Sequence, residues 1–258
     1  MNEQTPRQRL RENAKLRLRR RLGKWGIDIG RDPYPNRLVR SLVAHDVECV
    51  IDVGANVGQY GALLRAAGFP GRIISAEPLT SAFAVLSRRA AADPAWTALN
   101  IGVGAEPGEV EINISANSYS SSVLEMRSTH LDAAPDSVVI DTETIRLSTV
   151  SELVAAHGVE PERCLLKIDT QGYESHVLAG AGELLNSIAG LQLELSFLEL
   201  YAGQELFDAL VARARDHGLT LWAFEPGFSD RNGRMLQCDG LFMREALAAS
   251  RFSNGSPQ

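Results

Sequence analysis

Three stretches of the chain gather residue types that can do chemistry. The first is Val50-Ile-Asp-Val-Gly-Ala-Asn-Val-Gly-Gln-Tyr60, an apolar run that breaks into a glycine turn. Gly54 and Gly58 let backbone approach a ligand with no side chain in the way, and the helix expected to follow starts with unpaired N–H groups that suit an anion. Asp52, near the end of the run, offers a carboxylate to a cationic group. The second stretch, Ser75-Ala-Glu-Pro78, ends another apolar run. It sets Glu77 about 20 residues past the turn, where an acidic side chain accepts the hydroxyl protons of a ribose. The third is Leu165-Leu-Lys-Ile-Asp169, with Leu191-Gln-Leu-Glu-Leu-Ser196 after it. Alternation in the latter puts Gln192, Glu194 and Ser196 on one face and the leucines on the other.

The ligand these pieces describe carries a nucleoside. Nicotinamide enzymes also place an acid after the second strand, but their turn reads G-x-G-x-x-G. Here it reads Gly54-Ala-Asn-Val-Gly58 with Asp52 ahead of it, which suits a nucleoside bearing an amino acid in place of a pyrophosphate. S-adenosylmethionine has that shape. Its ammonium is expected at Asp52, its carboxylate on the turn amides around Gly54, Asn56 and Gly58, its ribose at Glu77, and its adenine at the loop after Asn100. Tyr60 and Pro78, beside the turn and the acid, complete the expected contacts.

A sulfonium methyl is transferred by in-line displacement, so the acceptor must be held opposite the sulfur at near-attack distance. A hydroxyl acceptor is a poor nucleophile at neutral pH, and a positioned base adds about 10²–10⁴-fold. Asp169 is the first choice for a group at that edge, as base, metal ligand or donor contact; its structural alternative is to cap the helix beginning near Tyr173. Glu194, on a strand expected to be central, needs a partner because an unpaired buried charge is expensive. Asp239 in the final strand is a weaker candidate, and Asp169, Glu194 and Asp239 together are an oxygen set for a hard cation such as Mg²⁺. His130, in a polar insertion, is the histidine expected to reach the acceptor, whereas His45, His157, His176 and His217 read as surface residues. Ser120, Ser121 and Ser122, beside Tyr119, read either as a lid over the donor carboxylate or as a flexible polar loop.

The elements that must position these groups follow from periodicity. Strands are predicted over 49–53, 72–76, 97–103, 164–168, 191–196, 219–224 and 236–243, and helices over 36–44, 59–67, 81–91, 150–156, 175–186 and 204–217. The alternation implies an α/β fold with a mostly parallel sheet and helices on both faces. The rhythm breaks between strands three and four. There 109–114 and 144–147 read as added strands flanking a polar stretch at 115–135, the kind of insertion where specificity resides.

Bulk properties narrow the class. The chain has 258 residues, 45% hydrophobic and 22% charged, with a formal charge of -6; that balance argues against a general nucleic-acid binder. Residues 1–24 reverse the sign, with arginines from Arg7 to Arg21 and Leu10, Ala14, Leu18 and Leu22 at helical spacing. This arm reads as a solvated basic face beside an acidic domain, with peripheral contact of 7–24 to an anionic membrane as the alternative. Cys49, Cys164 and Cys238 lack the spacing of a zinc or redox motif. With no apolar run long enough to span a bilayer, a cytoplasmic protein is expected. The expected division is a basic helical arm and cap helix over 1–46, a catalytic domain over 47–246 and a frayed tail over 247–258.

Taken together these stretches resemble the FkbM-type S-adenosylmethionine-dependent methyltransferases. The resemblance runs from Gly26 to Arg244 and rests on VIDVGANVGQY at 50–60, SAEPL at 75–79, SYSSS at 118–122, LLKIDTQGYE at 165–174, LQLELSF at 191–197 and QCDGLFMR at 237–244. It implies a Rossmann-like class I methyltransferase fold: a seven-stranded, mostly parallel sheet with an antiparallel last strand and the donor at the carboxyl ends of the strands. It also implies a small-molecule hydroxyl acceptor on a sugar, glycolipid or polyketide-type product. One departure is Gln171, where the family commonly has Glu. The rival reading is a non-catalytic S-adenosylmethionine-binding protein docked at a membrane by its basic arm.

Overall fold

The computed structural model describes residues 33–245, apart from the side chain of Ser118. The expectations for the basic arm and the tail lie outside that range. In chain order the elements are α1 (Tyr34–Ala44), β1 (Cys49–Val53), α2 (Gln59–Ala66), β2 (Arg72–Ala76), α3 (Thr80–Ala90), β3 (Trp96–Leu99) and β4 (Gly102–Val103). There follow β5 (Gly108–Ser115), α4 (Ser128–Ala133), β6 (Val139–Ser148), α5 (Val150–His157), β7 (Cys164–Ile168) and α6 (Glu174–Ala181). The last are β8 (Gly190–Ser196), α7 (Phe207–Asp216), β9 (Thr220–Pro226) and β10 (Gln237–Met243).

Seven strands form one sheet in the order β3-β2-β1-β7-β8-β10-β9. Strands β1, β2, β3, β7 and β8 run parallel, while β10 is antiparallel to both β8 and β9. The central strands β1 and β7 are buried along their whole length, as a parallel sheet covered on both faces requires. On one face Ile51, Leu166 and Leu193 pack against Leu153 of α5, Leu178 of α6 and Leu210 of α7. On the other, Val50, Leu165 and Leu241 meet Leu38 and Leu42 of α1, Leu64 of α2 and Leu86 of α3. Helix α1 therefore shares the core of the domain it precedes.

Two of the differences from the sequence pattern have local causes. The third strand does not run to Val103: it stops at Leu99, and Gly102–Val103 leaves to pair with β6 in a separate sheet of order β4-β6-β5. Asn100 turns the chain there by donating its amide to the carbonyls of Glu77 at 3.1 Å and Pro78 at 2.8 Å. The helix expected over 175–186 ends at Ala181, where Gly182 takes φ +51° and the chain tightens into a 3₁₀ turn. Within the polar insertion, α4 forms between two short 3₁₀ turns. Helix α5 opens on a reciprocal cap: Thr149 accepts from the Glu152 N–H, and the Glu152 carboxylate accepts from that of Thr149.

Candidate functional site

At the carboxyl ends of β1, β2 and β7 lies a cavity roofed by the β5–β6 sheet and the segment around Tyr119. Gly54, Asn56, Glu77, Pro78, Ser121, Asp169 and Glu194 all line it, as do Gln171 and Tyr173. Seven residues chosen from sequence for donor binding or catalysis thus meet in one space.

Its donor side is built from backbone. Gly54 adopts φ +76°, and a Cβ there would lie 1.9 Å from the Asp169 carbonyl oxygen, so the first turn needs glycine to fit beside β7. Glu77 reaches across from the end of β2 and accepts the N–H of Asn56 at 2.8 Å and of Leu79 at 2.9 Å. Burial pushes its carboxyl up to about 7, against the pull of those two N–H groups. A carboxylate has room for further acceptor bonds, so Glu77 can take ribose hydroxyls while holding the turn. The cavity walls Ile101, Ile112, Ile145 and Leu147 are apolar and suit an adenine. The residues present therefore fit an adenosine cofactor.

Several expected contacts are corrected. Asp52 is fully buried and already paired, with Lys167 Nζ at 3.0 Å from its Oδ1. The two face each other across β1 and β7, so Asp52 is closed to a ligand ammonium. Burial works against the Lys167 charge, but Asp52 and Asp169 outweigh it and hold the ammonium above its usual range. Gly58 is needed for packing: a Cβ would approach Leu86 to 2.8 Å and Trp96 to 3.2 Å. Tyr60 donates to Gln192 Oε1 at 2.7 Å and does not line the cavity. Asn100 itself braces the Glu77–Pro78 segment, while Ile101, in the loop after it where the adenine is expected, lines the cavity.

The Ser-rich segment is divided. Ser121 and Tyr119 line the cavity, whereas Ser122 turns inward and donates to the Gln171 carbonyl at 2.7 Å. Ser120 contacts the Ser137 hydroxyl at 3.1 Å. His130 is not an exposed loop residue. It is buried against Tyr201 and Phe228, 3.2 Å from Ser137 Oγ, and is absent from the cavity lining; burial lowers its pKa. His45 is also buried, edge-on to Trp222.

The far wall is built from side chains. Asp169 Oδ2 pairs with Lys167 Nζ at 3.3 Å. Glu194 Oε2 accepts from Gln171 Nε2 at 2.8 Å and Gln237 Nε2 at 2.7 Å, and Oε1 has no hydrogen-bond partner among the described residues. Burial, then Asp169, Glu174 and Asp239, raise the Glu194 carboxyl well above the carboxylate range. Ile168 pairs with Leu193, so Asp169 is level with Glu194; Glu194 pairs with Asp239 and Asp239 with Glu225. Four carboxylates therefore form a row across adjacent strands, of which Asp169 and Glu194 line the cavity and Asp239 and Glu225 do not. Asp239 accepts no hydrogen bond among the described residues, and burial, followed by Asp169, pushes it up to about 7. The expected cation set is not assembled: among the described residues no three His, Cys, Asp or Glu side chains are grouped to hold a metal ion.

Sequence reasoning missed Gln237, Glu174 and the role of Gln171. Gln237 was findable, since it alternates with Asp239 on the last strand. Glu174 clamps the loop after β7, accepting from the N–H of Thr170 at 2.9 Å and of Gly172 at 3.2 Å.

Numbered along the chain, the seven strands run 3-2-1-4-5-7-6, with the glycine turn and second-strand acid opening on one cavity; this defines a class I S-adenosylmethionine-dependent methyltransferase. A family model described as the methyltransferase FkbM domain matches residues 52–220, and the chain belongs to that family. Similar solved structures include magnesium protoporphyrin IX methyltransferase (ChlM) from Synechocystis PCC 6803 with bound SAM, at 13% identity and TM-score 0.43 over 81% of this chain and 77% of that one. Another is an rRNA methylase from Streptococcus thermophilus, at 10% identity and TM-score 0.44 over 83% and 99%. Likenesses this distant say nothing about what this chain methylates. A comparison with curated proteins returns no match. Among the described residues no helix is long and apolar enough to cross a membrane.

Proposed function

We propose that this methyltransferase acts on a hydroxyl oxygen of an uncharged small molecule, a sugar, glycolipid or polyketide-type product, and that Glu194 takes the hydroxyl proton. The observation that carries the reading is the clamped Glu194 carboxylate on the cavity wall: two amides fix Oε2 and leave Oε1 for a proton. Its raised pKa makes it a stronger base than an ordinary carboxylate. Asp169, the first choice from sequence, has one oxygen engaged by Lys167 and the other by Gln171, which favours a supporting role.

Bound at Glu77 and Gly54, S-adenosylmethionine supplies a methyl group on a sulfonium. This chain's part would be to hold the acceptor hydroxyl opposite that methyl group and to take the hydroxyl proton on Glu194. Holding donor and acceptor in line is worth roughly 7–11 kcal/mol against the bimolecular reference. Of the row Asp169, Glu194, Asp239 and Glu225, Asp169 and Glu194 line the cavity, and Lys167, 3.3 Å from Asp169, is already paired with Asp52. Among the described residues that line the cavity none is cationic, so a phosphorylated or carboxylated acceptor gains no ion pair there, whereas a neutral polyol offers hydroxyl donors to the carboxyl oxygens. No divalent cation is part of this proposal.

The test is transfer of labelled methyl from S-adenosylmethionine to matched neutral and phosphorylated glycosides and to polyketide alcohols. Label should appear as an ether on neutral acceptors. Label on nitrogen or carbon, or a preference for the phosphorylated member of each pair, would overturn the reading.

A further inference from the structure

Gln171 joins the carboxylate wall of the cavity to its serine cover. Its amide nitrogen donates to Asp169 Oδ1 at 3.1 Å and Glu194 Oε2 at 2.8 Å, its Oε1 accepts from the Tyr201 hydroxyl at 2.9 Å, and its main-chain carbonyl accepts from Ser122 at 2.7 Å. Only one orientation of the amide works, because the flipped one would set Oε1 against two carboxylates. The residue sits at φ +54°, an uncommon conformation away from glycine, fastened by Glu174 on either side of it. Tyr201 is fully buried, and its hydroxyl also lies 3.1 Å from the Ser120 carbonyl. One phenolic proton thus faces two acceptors, one on the cover and one on the amide that holds Glu194.

We propose that Tyr201, acting through Gln171, is a positioning residue that keeps the Glu194 carboxylate in register with the Ser120–Ser122 cover, so that ordering the cover around a donor and orienting the base are one event. This rests on Glu194 being the base. The groups that bear on Glu194 are Asp169 beyond β7, Glu174 on α6, Asp239 and Cys238 on β10 and Tyr201 itself, with Lys167 behind Asp169. Apart from Lys167 all are acidic or neutral. The Gln171 and Gln237 amides are therefore the donors that steady the ionised form, and removing the first pushes the Glu194 midpoint further up.

The experiment follows the side-chain carboxyl of Glu194 by carbon-13 NMR through a pH titration, with and without S-adenosylhomocysteine, in the full chain. Its resonance is assigned by its loss in Glu194→Gln. In the wild type, ligand should move the Glu194 midpoint. In Tyr201→Phe, which keeps the buried ring, that movement should fall by at least half and the S-adenosylhomocysteine Kd should weaken about threefold to tenfold, as expected for one lost hydrogen bond. Gln171→Asn tolerates the same backbone conformation but is too short to reach Glu194, and should raise the midpoint with or without ligand. Wild-type titration and ligand response in Tyr201→Phe would overturn the proposal. Should that variant not fold, an unmoved midpoint in Gln171→Asn does so instead. A wild type that binds no S-adenosylhomocysteine sinks the functional reading itself, which keeps the two failures apart.

Discussion

The two halves of the cavity solve different problems with different materials. On the β1–β2 side a glycine turn and the Glu77 carboxylate are held by backbone: Gly54 fits because it has no side chain, and Glu77 is anchored by the N–H groups of Asn56 and Leu79. On the β7–β10 side the groups are side chains held by other side chains, Glu194 by Gln171 and Gln237, and Asp169 by Lys167. The donor half is close to fully satisfied as it stands. Both halves hold a carboxyl raised by burial, but Glu77 has a backbone N–H on each oxygen, whereas Glu194 keeps one oxygen open. A surface that binds one constant ligand can be built into the main chain, whereas one that accepts a proton must hold a destabilised group in readiness.

The contrast is broken most severely by removing the base. Glu194→Gln should lower turnover about 10²–10⁴-fold while leaving the S-adenosylmethionine Kd near wild type, measured by single-turnover kinetics and calorimetry. Equal losses in both would show that Glu194 belongs to the donor half. Next comes Gly54→Ala, which forces a side chain into φ +76° against the Asp169 carbonyl. Chemical denaturation should register a loss of about 3 kcal/mol or more, and wild-type stability would mean that the turn is not tightly held.

Glu77→Gln should weaken S-adenosylmethionine binding about tenfold to a hundredfold, the worth of hydrogen bonds to a charged acceptor. The sign of its pH dependence follows from burial. With the Glu77 carboxyl near 7 in the free protein, the ribose acceptor is ionised above that pH and protonated below it. Donor Kd should therefore be flat above pH 7 and rise as pH falls below it, and Glu77→Gln should flatten the slope. A slope that survives the substitution assigns the titration elsewhere.

The smallest effect sharpens the acceptor side. Asp239 is raised from 3.8 to about 7 by burial and by Asp169, so the folded state holds its proton more tightly than the unfolded chain. Stability is therefore undiminished below about pH 4, falls as pH rises from 4 to 7, and carries the full penalty above 7. Asp239→Asn should then raise Tm by a few degrees at pH 8 and change it little at pH 4. A lower Tm at pH 8 would show that the carboxylate is stabilising and already has a partner.

Much of this was legible from local pattern. The glycine turn, the acid after β2 and the exit of Asp169 from β7 were placed correctly because each depends on a few adjacent residues and on strand periodicity. Misplaced contacts had another origin. Asp52 and Tyr60 lie within the same motif as Gly54, yet their side chains are taken by Lys167 and Gln192 and do not line the cavity. His130 looked exposed in a polar stretch, but Tyr201 and Phe228, far along the chain, close over it.

What the amino-acid order determined alone was the set of elements, the parallel sheet and the donor turn, since these arise from φ freedom at glycine and from the two- and nearly four-residue repeats of strand and helix. Which carboxylates stand side by side was decided only by strand order. Glu194, Asp239 and Glu225 become neighbours because β10 inserts backwards between β8 and β9, and no short window of sequence contains that event. Burial and mutual repulsion, the forces that raise their pKa values, act through space once the sheet has closed.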